Sequence, residues 1–516
     1  MTVRPFLAAV ATLTAALTTA ATPVTARADL PDQPFANPAR LSESRPAAIE
    51  ATWTPLRLPN GDKIALASLS YLMAVNDDWG FGPGFYGAAK GNYGGIFTVG
   101  FTAQRRWRLT HNTHLAAGLY AGAGGGLSSA ALRFGGGLML RPELSIRTEA
   151  GDWYGGATLA HVRFPTGNVS GTSIGFVIGR AGSFASFAPV DAGRLGRAGA
   201  RTGLGFDEIT LLGGIAKPSN STRNRGGAPS TGRMGKAGAE LRQYIVDGSW
   251  WAVEASGAAQ GGSDGYMEML ASAGQDWAIG SPRLRLGGVL GAGLGGGGGV
   301  DTGSGWLLRA GPTLRWITPW GATVRLDAAL THAADGKYTT RDLRLGLSMP
   351  LDIVPSFTGT PADAVGTVRT QQVFASFQQL PQVRFKDGSR ESVGHIAVLM
   401  TRELSPSVYG VAQAGSAAFG KAGAYSFGLF GLGLQSPHLL GKMRVGVEAM
   451  VGAAGGGGVA VGGGAVAQAE AWAQWEFSEH LRLRAGLGQW RTIRGSGQSS
   501  PLVNLSLGYA FGTLVR

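Results

Sequence analysis

The sequence predicts an all-β chain of antiparallel strands, and three observations carry that prediction. Glycine supplies 86 of 516 residues, about 17% against a usual share of ~7%, which rules out a helix-rich protein. Apolar residues alternate with polar or small ones at a two-residue period, as in Leu343-Arg344-Leu345-Gly346-Leu347-Ser348-Met349, the pattern of a strand with two unlike faces. Asn60-Gly61, Asp247-Gly248, Asp264-Gly265, Asp335-Gly336 and Asp387-Gly388 supply the positive φ that tight hairpins need.

Taken in chain order, residues 1–28 read as a secretory signal. Arg4 forms a short basic region, Phe6 to Ala21 is weakly apolar, and Ala26-Arg27-Ala28 is a small-x-small cleavage site. The mature chain then starts near Asp29. Without Arg4 and Arg27 it keeps 43 basic and 32 acidic residues, a net charge of +11. The basic residues are scattered singly and not gathered in tracts, which argues against nucleic acid. In an exported protein they favour anionic lipopolysaccharide, phospholipid headgroups, an anionic polysaccharide or a small anionic solute as partners. The complete absence of Cys removes disulfides, thiolate metal sites, Fe–S clusters and cysteine nucleophiles.

The mature chain divides into three related units at 29–200, 201–365 and 366–516. The segment from Gly87 to Ile96 resembles that from Gly257 to Tyr266 and, more loosely, that from Gly415 to Ala424. Each is followed by strands that run into glycine tracts beginning at Gly124, Gly295 and Gly455, a period far too long for a solenoid. Each unit holds about eight strand-like segments, giving about 24 strands. One wide barrel or three tandem eight-stranded barrels would both accommodate them. Pairing of residues 64–74 with 502–511 would mean a single closed barrel; pairing within each unit would mean three.

Segment lengths match tilted strands that cross a bilayer, which take ~9–11 residues. The uncharged stretch from Ala449 to Ala467 contains eight Gly and is a poor helix. Trp107, Trp153, Trp277, Trp316, Trp320 and Trp490 fall near segment ends, where aromatic girdles sit. Arg283, Arg285, Arg344, Arg444, Arg482 and Arg484 alternate with apolar neighbours. They are the candidate lumen-facing residues, expected to meet water or carboxylates such as Asp327 and Glu448. In one wide barrel they would favour anions.

The last strand, Val503 to Phe511, resembles the C-terminal signal by which Gram-negative outer-membrane β-barrel proteins reach their assembly machinery. Leu505, Leu507, Gly508, Tyr509 and Phe511 carry that resemblance, although the chain continues to Arg516. It implies an outer-membrane location and the barrel assembly machinery as a partner. The segment Ala160-His161-Val162-Arg163 faintly resembles the His-x-Ser-Asn segment of outer-membrane lipid A 3-O-deacylases, with Arg163 in the place of the nucleophile.

Other motifs lose their chemistry in context. Gly291-Ala-Gly-Leu-Gly-Gly296 lacks the helix that a phosphate-binding loop opens. Gly171-Thr-Ser-Ile-Gly175 lies within an alternating strand, not at a nucleophile elbow. His111 and His114 belong to a turn without a nearby carboxylate. No catalytic, cofactor or metal residues are therefore assigned. The sequence points to a non-enzymatic outer-membrane channel, export conduit or structural envelope protein. The alternatives are a lipid-modifying barrel enzyme and a soluble exported binding module.

Overall fold

A computed structural model describes residues 39–41, 43–230, 232–319, 321–353, 364–495 and 497–515. The expected signal segment and Trp320 lie outside them. The described chain is antiparallel β-sheet apart from one short parallel pairing and a single turn of 3-10 helix at Pro189–Asp191. No described helix is long and apolar enough to cross a membrane.

The strand pairing closes each unit on itself. Barrel I begins with Glu43–Arg57 and ends with Ser170–Ser186, which pair so that Trp53 faces Phe176. Barrel II runs from Glu208–Pro218 to Thr339–Pro350, joined with Leu212 opposite Gly346. Barrel III runs from Ala364–Arg384 to Ser499–Val515, joined with Phe374 opposite Gly508. Each contains eight strands, and barrel III carries two short additions, Leu195–Ala198 and Ala39–Arg40, on the start of its first strand. Lys63–Ala74 pairs with its own barrel's neighbours, and residues 502–511 pair within barrel III. The expected strand number therefore closes as three barrels of eight. The wide anion-selective lumen, which required a single barrel, has no place in this architecture.

The two ends of the barrels differ. One carries short turns such as 151–152, 247–248 and 406–407; the other carries longer loops such as 126–137 and 219–233. Gly61, Gly248, Gly265 and Gly388 adopt the positive φ expected of their dipeptides. Gly336 does not. It is confined by close approach instead, since a Cβ there would lie 2.5 Å from the Thr302 carbonyl carbon.

Residue alternation is inverted relative to a water-soluble sandwich. In barrel II, Leu308, Leu314, Leu326, Leu330, Leu343 and Leu345 are 38–56% exposed on the outside, while the alternating Arg309, Arg325, Asp327 and Arg344 are at most 6% exposed within. Trp79, Trp107, Trp153, Trp277, Trp316 and Trp475 stand exposed near the short-turn end. Trp490 departs from the girdle expectation, because its strand position points it into the core of barrel III.

The barrels join in a ring. Each unit has a hairpin loop whose geometry repeats: Ala88, Ala258 and Ala417 donate their backbone N–H to the carbonyls of Ile96, Tyr266 and Tyr425. This aligns Ser416, not Gly415, with Gly87 and shifts the third repeat by one residue. The loop of barrel I docks on the glycine tract of barrel II, where Gly94 N–H donates to Gly303 O at 2.8 Å. The loop of barrel II docks on the tract of barrel III, where a Cβ on Gly455 would lie 2.2 Å from the Gly265 nitrogen. The loop of barrel III returns to barrel I, with Gly423 N–H donating to Gly135 O at 3.1 Å.

Candidate functional site: the charged barrel interiors

The inward face of barrel II is filled by ionised side chains. Lys236, Arg242, Arg309, Arg315, Arg325 and Arg344 are buried there with Glu208, Glu240, Glu254, Glu268, Asp276, Asp327 and Asp342. Arg325 grips Glu240 in a fork, Nη1 donating to Oε1 at 2.6 Å and Nη2 to Oε2 at 2.9 Å. Arg344 bridges Glu254 at 2.7 Å and Asp327 at 3.2 Å. Arg309 donates to Glu254 at 2.9 Å, and Lys236 meets Glu268 at 3.1 Å. The Arg242 guanidinium also lies 3.6 Å from the ring centre of Trp250. A charge removed from water is tolerable only with such paired, hydrogen-bonded partners. A void lined by Glu240, Arg242, Glu254, Arg309, Arg325 and Arg344 has a volume of about 10 Å³, smaller than the space one water needs or at its limit.

The other interiors carry fewer charges. In barrel I, Arg147 donates to Glu50 at 2.6 and 3.2 Å, Tyr154 donates to Glu50 at 2.9 Å, and Arg141 pairs with Glu143. In barrel III, Arg484 pairs with Glu448, Tyr409 donates to Glu448 at 2.7 Å, and Trp472 donates to Tyr409 at 2.7 Å. At the short-turn end of barrel III a polar recess of about 160 Å³ opens among Glu403, His438, Arg444, Glu476 and Arg482.

The six arginines singled out in sequence occupy different settings. Arg344 and Arg484 are deep in barrels II and III, paired with Asp327 and Glu448 respectively. Arg285 sits at the short-turn rim of barrel II against Asp276 and Asp247. Arg444 and Arg482 line the recess of barrel III, both near Glu476. Arg283 is exposed near the start of its strand. Asp276 answers Arg285 from the adjacent hairpin strand and Glu476 answers Arg482 across a single turn, whereas Glu448 answers Arg484 from a strand remote in sequence. Of the answering carboxylates the sequence marked Asp327 and Glu448.

The C-terminal residues also divide. Leu505 and Leu507 face outward at 52% and 56% exposure. Gly508 faces inward under the Phe374 ring, where a Cβ would come within 2.3 Å of it. Tyr509 stacks on His480 at 5.0 Å, and Phe511 is buried against Phe184 of barrel I.

His161 points outward and bonds only hydroxyls among the described residues, Thr172 at 2.8 Å and Ser170 at 3.3 Å. His332 repeats the arrangement with Thr339 at 2.8 Å. Without a carboxylate to orient the imidazole this is not an acyl-transfer triad. The deacylase resemblance ends at the sequence segment. No cluster of three or more metal-ligating side chains occurs among the described residues.

No protein-family model matches the chain, and no curated protein matches it in sequence. Solved structures do. A mutant ferric enterobactin receptor of Pseudomonas aeruginosa, in complex with enterobactin, is 11% identical with a TM-score of 0.28, covering 92% of this chain and 82% of that one. The outer membrane protein opdK of the same organism is 10% identical with a TM-score of 0.22, covering 92% and 100%. The OpdF protein of that organism, in complex with glucuronate, is 12% identical with a TM-score of 0.22, covering 92% and 99%. Overlays this loose transfer neither a pore nor a ligand, so the functional reading rests on the chain's own residues.

Proposed function

We propose that this chain is a non-enzymatic integral protein of a Gram-negative outer membrane, exported by its N-terminal segment, whose three barrels form one membrane-embedded block. The observation that carries this reading is the inversion of the barrels: leucines stand exposed outside while paired arginines and carboxylates fill the inside. In water such an exterior is a large adhesive surface. In lipid it is the solvated face, and closed barrels leave no backbone edge unpaired.

Of channel, conduit and structural protein, the filled interiors favour the last. A continuous aqueous path through barrel II would have to displace fork-paired ions, and breaking one such pair typically costs ~3–5 kcal/mol. The test is reconstitution of the full chain in phosphatidylcholine bilayers. Heat-modifiable migration together with a flat current trace is expected. Recovery as a water-soluble protein would overturn the membrane reading; a stable unitary conductance from the folded protein would overturn the structural one.

A further inference from the structure

The end of the barrels that carries the longer loops repeats an arrangement with an electrostatic cost. Arg57, near the loop end of the first strand of barrel I, lies directly opposite Lys63. Lys217, at the same place in barrel II, lies directly opposite Arg341. In barrel III the first strand brings Arg384 directly opposite Arg390. Like charges on facing strand positions destabilise a sheet, yet each barrel has such a pair at the same level. In the first two barrels these residues alternate with buried neighbours (Leu56, Ile64, Ala216 and Thr340), so the cations stand on the outer surface; in barrel III Arg390 is exposed and Arg384 half-buried. Among the described residues Arg57, Lys63, Lys217 and Arg341 meet no carboxylate at ion-pairing distance.

We propose that these three cation pairs bind the phosphate groups of outer-leaflet lipid, which in such a membrane is the polyanionic lipopolysaccharide; the proposal rests on the membrane reading above. Continuity with the apolar belt, seen at the Lys217–Arg341 pair, carries it. Two residues from Arg341 on the same face, Leu343 is 56% exposed, and beyond it Leu345 is 41% exposed. A lipid whose chains cover these leucines places its headgroup at the level of the cations. A phosphate there receives charge-assisted hydrogen bonds from two side chains at once and removes their repulsion. Longer loops mark the outward end of a membrane barrel, which puts all three pairs in the outer leaflet.

The test uses the full chain refolded into phosphatidylcholine vesicles with increasing lipopolysaccharide, following the unfolding midpoint. The wild type is expected to rise with phosphorylated lipopolysaccharide and to respond little to its dephosphorylated form. Lys63→Gln/Arg341→Gln/Arg390→Gln should lose about fivefold in apparent affinity for each charge removed. In phosphatidylcholine alone its midpoint should equal or exceed that of the wild type, because the repulsion has gone. Equal lipopolysaccharide affinity in both proteins, or an equal response to the dephosphorylated lipid, would overturn the proposal. An equal shift from free inorganic phosphate would overturn the lipid assignment. Should the triple variant not insert, Arg341→Gln alone carries the same comparison. Failure of the wild type itself to insert counts against the membrane reading, a result distinct from insertion without lipopolysaccharide binding.

Discussion

Gly95 and Gly297 meet backbone to backbone across the seam between barrels I and II: a Cβ on Gly95 would lie 2.3 Å from the Gly297 nitrogen. Gly265 has the same relation to Gly456 across the next seam, where the corresponding distance is 2.6 Å. The ring of barrels is therefore closed by main chain, and a side chain at either position must push the loop away. Gly95 and Gly265 also hold φ of 99° and 89°, so substitution there is strained as well as crowded. Gly95→Val is expected to lower the unfolding temperature in detergent, by a loss of at least ~2 kcal/mol. An unchanged melting curve would mean that the barrels do not depend on this seam.

The third seam contains a natural exception. Ala424 stands in the loop where the other units have Gly95 and Gly265, and it keeps a φ of 84°. The opposing tract leaves it more room, since a Cβ on Gly125 would sit 3.2 Å from the Ala424 nitrogen. Space accommodates the methyl group without removing the backbone cost of a left-handed alanine. Ala424→Gly should stabilise the protein by about 1 kcal/mol, read as a higher melting temperature; a lower one would show that the methyl packing outweighs the strain.

Much of this was legible in sequence, and the boundary of legibility is physical. Alternation such as Leu343 to Met349 fixes which side chains share a face, and the turn dipeptides fix the hairpins. Closure is a different matter, because a strand alternates identically in a barrel of eight or of 24. It is decided by which strands become neighbours, as when Leu212 faces Gly346. The glycine tract from Gly295 to Gly299 was visible as a feature repeated in each unit, but the backbone that approaches it, Gly94 and Gly95 of another unit, was not. For the interiors, the arginine rhythm was visible while most of their carboxylates were not, because Glu240 reaches Arg325 across 85 residues of sequence.

His395 provides a test of interior design. The same strand irregularity places Leu66, Lys236 and His395 opposite Ala88, Ala258 and Ala417, making them counterparts in the three barrels. Lys236 finds Glu268, but His395 is buried beside Tyr425 and Phe427 with neither ring nitrogen hydrogen-bonded. A buried polar group without a partner costs ~1–3 kcal/mol. His395→Leu, which installs the residue of barrel I, should raise the unfolding midpoint by a comparable amount. A fall in the midpoint would mean that the imidazole is needed where it is.

Asp352, between the last strand of barrel II and barrel III, makes stability depend on pH. Burial pushes its carboxyl up to about 6, against the opposing pull of the Thr202 backbone N–H, which donates to it at 2.6 Å. A carboxyl with a raised folded-state pKa favours the folded protein most when protonated. Its contribution is present below the unfolded value of 3.8, declines as pH rises toward 6, and is gone above that. The change across the window is on the order of 2–3 kcal/mol. Asp352→Asn should flatten the dependence of the melting temperature between pH 4 and 6, and persistence of the full slope would assign it to other groups.

Phe511 separates two roles that the C-terminal strand combines. Its backbone pairs with Gln371, as the closing strand of barrel III requires. Its ring is 1% exposed and lies 4.9 Å from that of Phe184 at 80°, so it belongs to the contact between barrels III and I and not to the lipid face. Leu507, by contrast, is 56% exposed. Phe511→Asp would place a carboxylate in this apolar contact, with a cost in the range of ~3–5 kcal/mol for the lost aromatic burial alone. Leu507→Asp leaves the contact intact and disturbs only the outer surface. If packing dominates, Phe511→Asp should lower the melting temperature of refolded, purified protein, and Phe511→Leu should restore most of it. If Phe511 serves only recognition by the assembly machinery, the purified variant should refold and melt like the wild type while its amount in cell membranes falls. Refolding yield and membrane abundance measured side by side distinguish the two outcomes, and the ring contact with Phe184 favours the first.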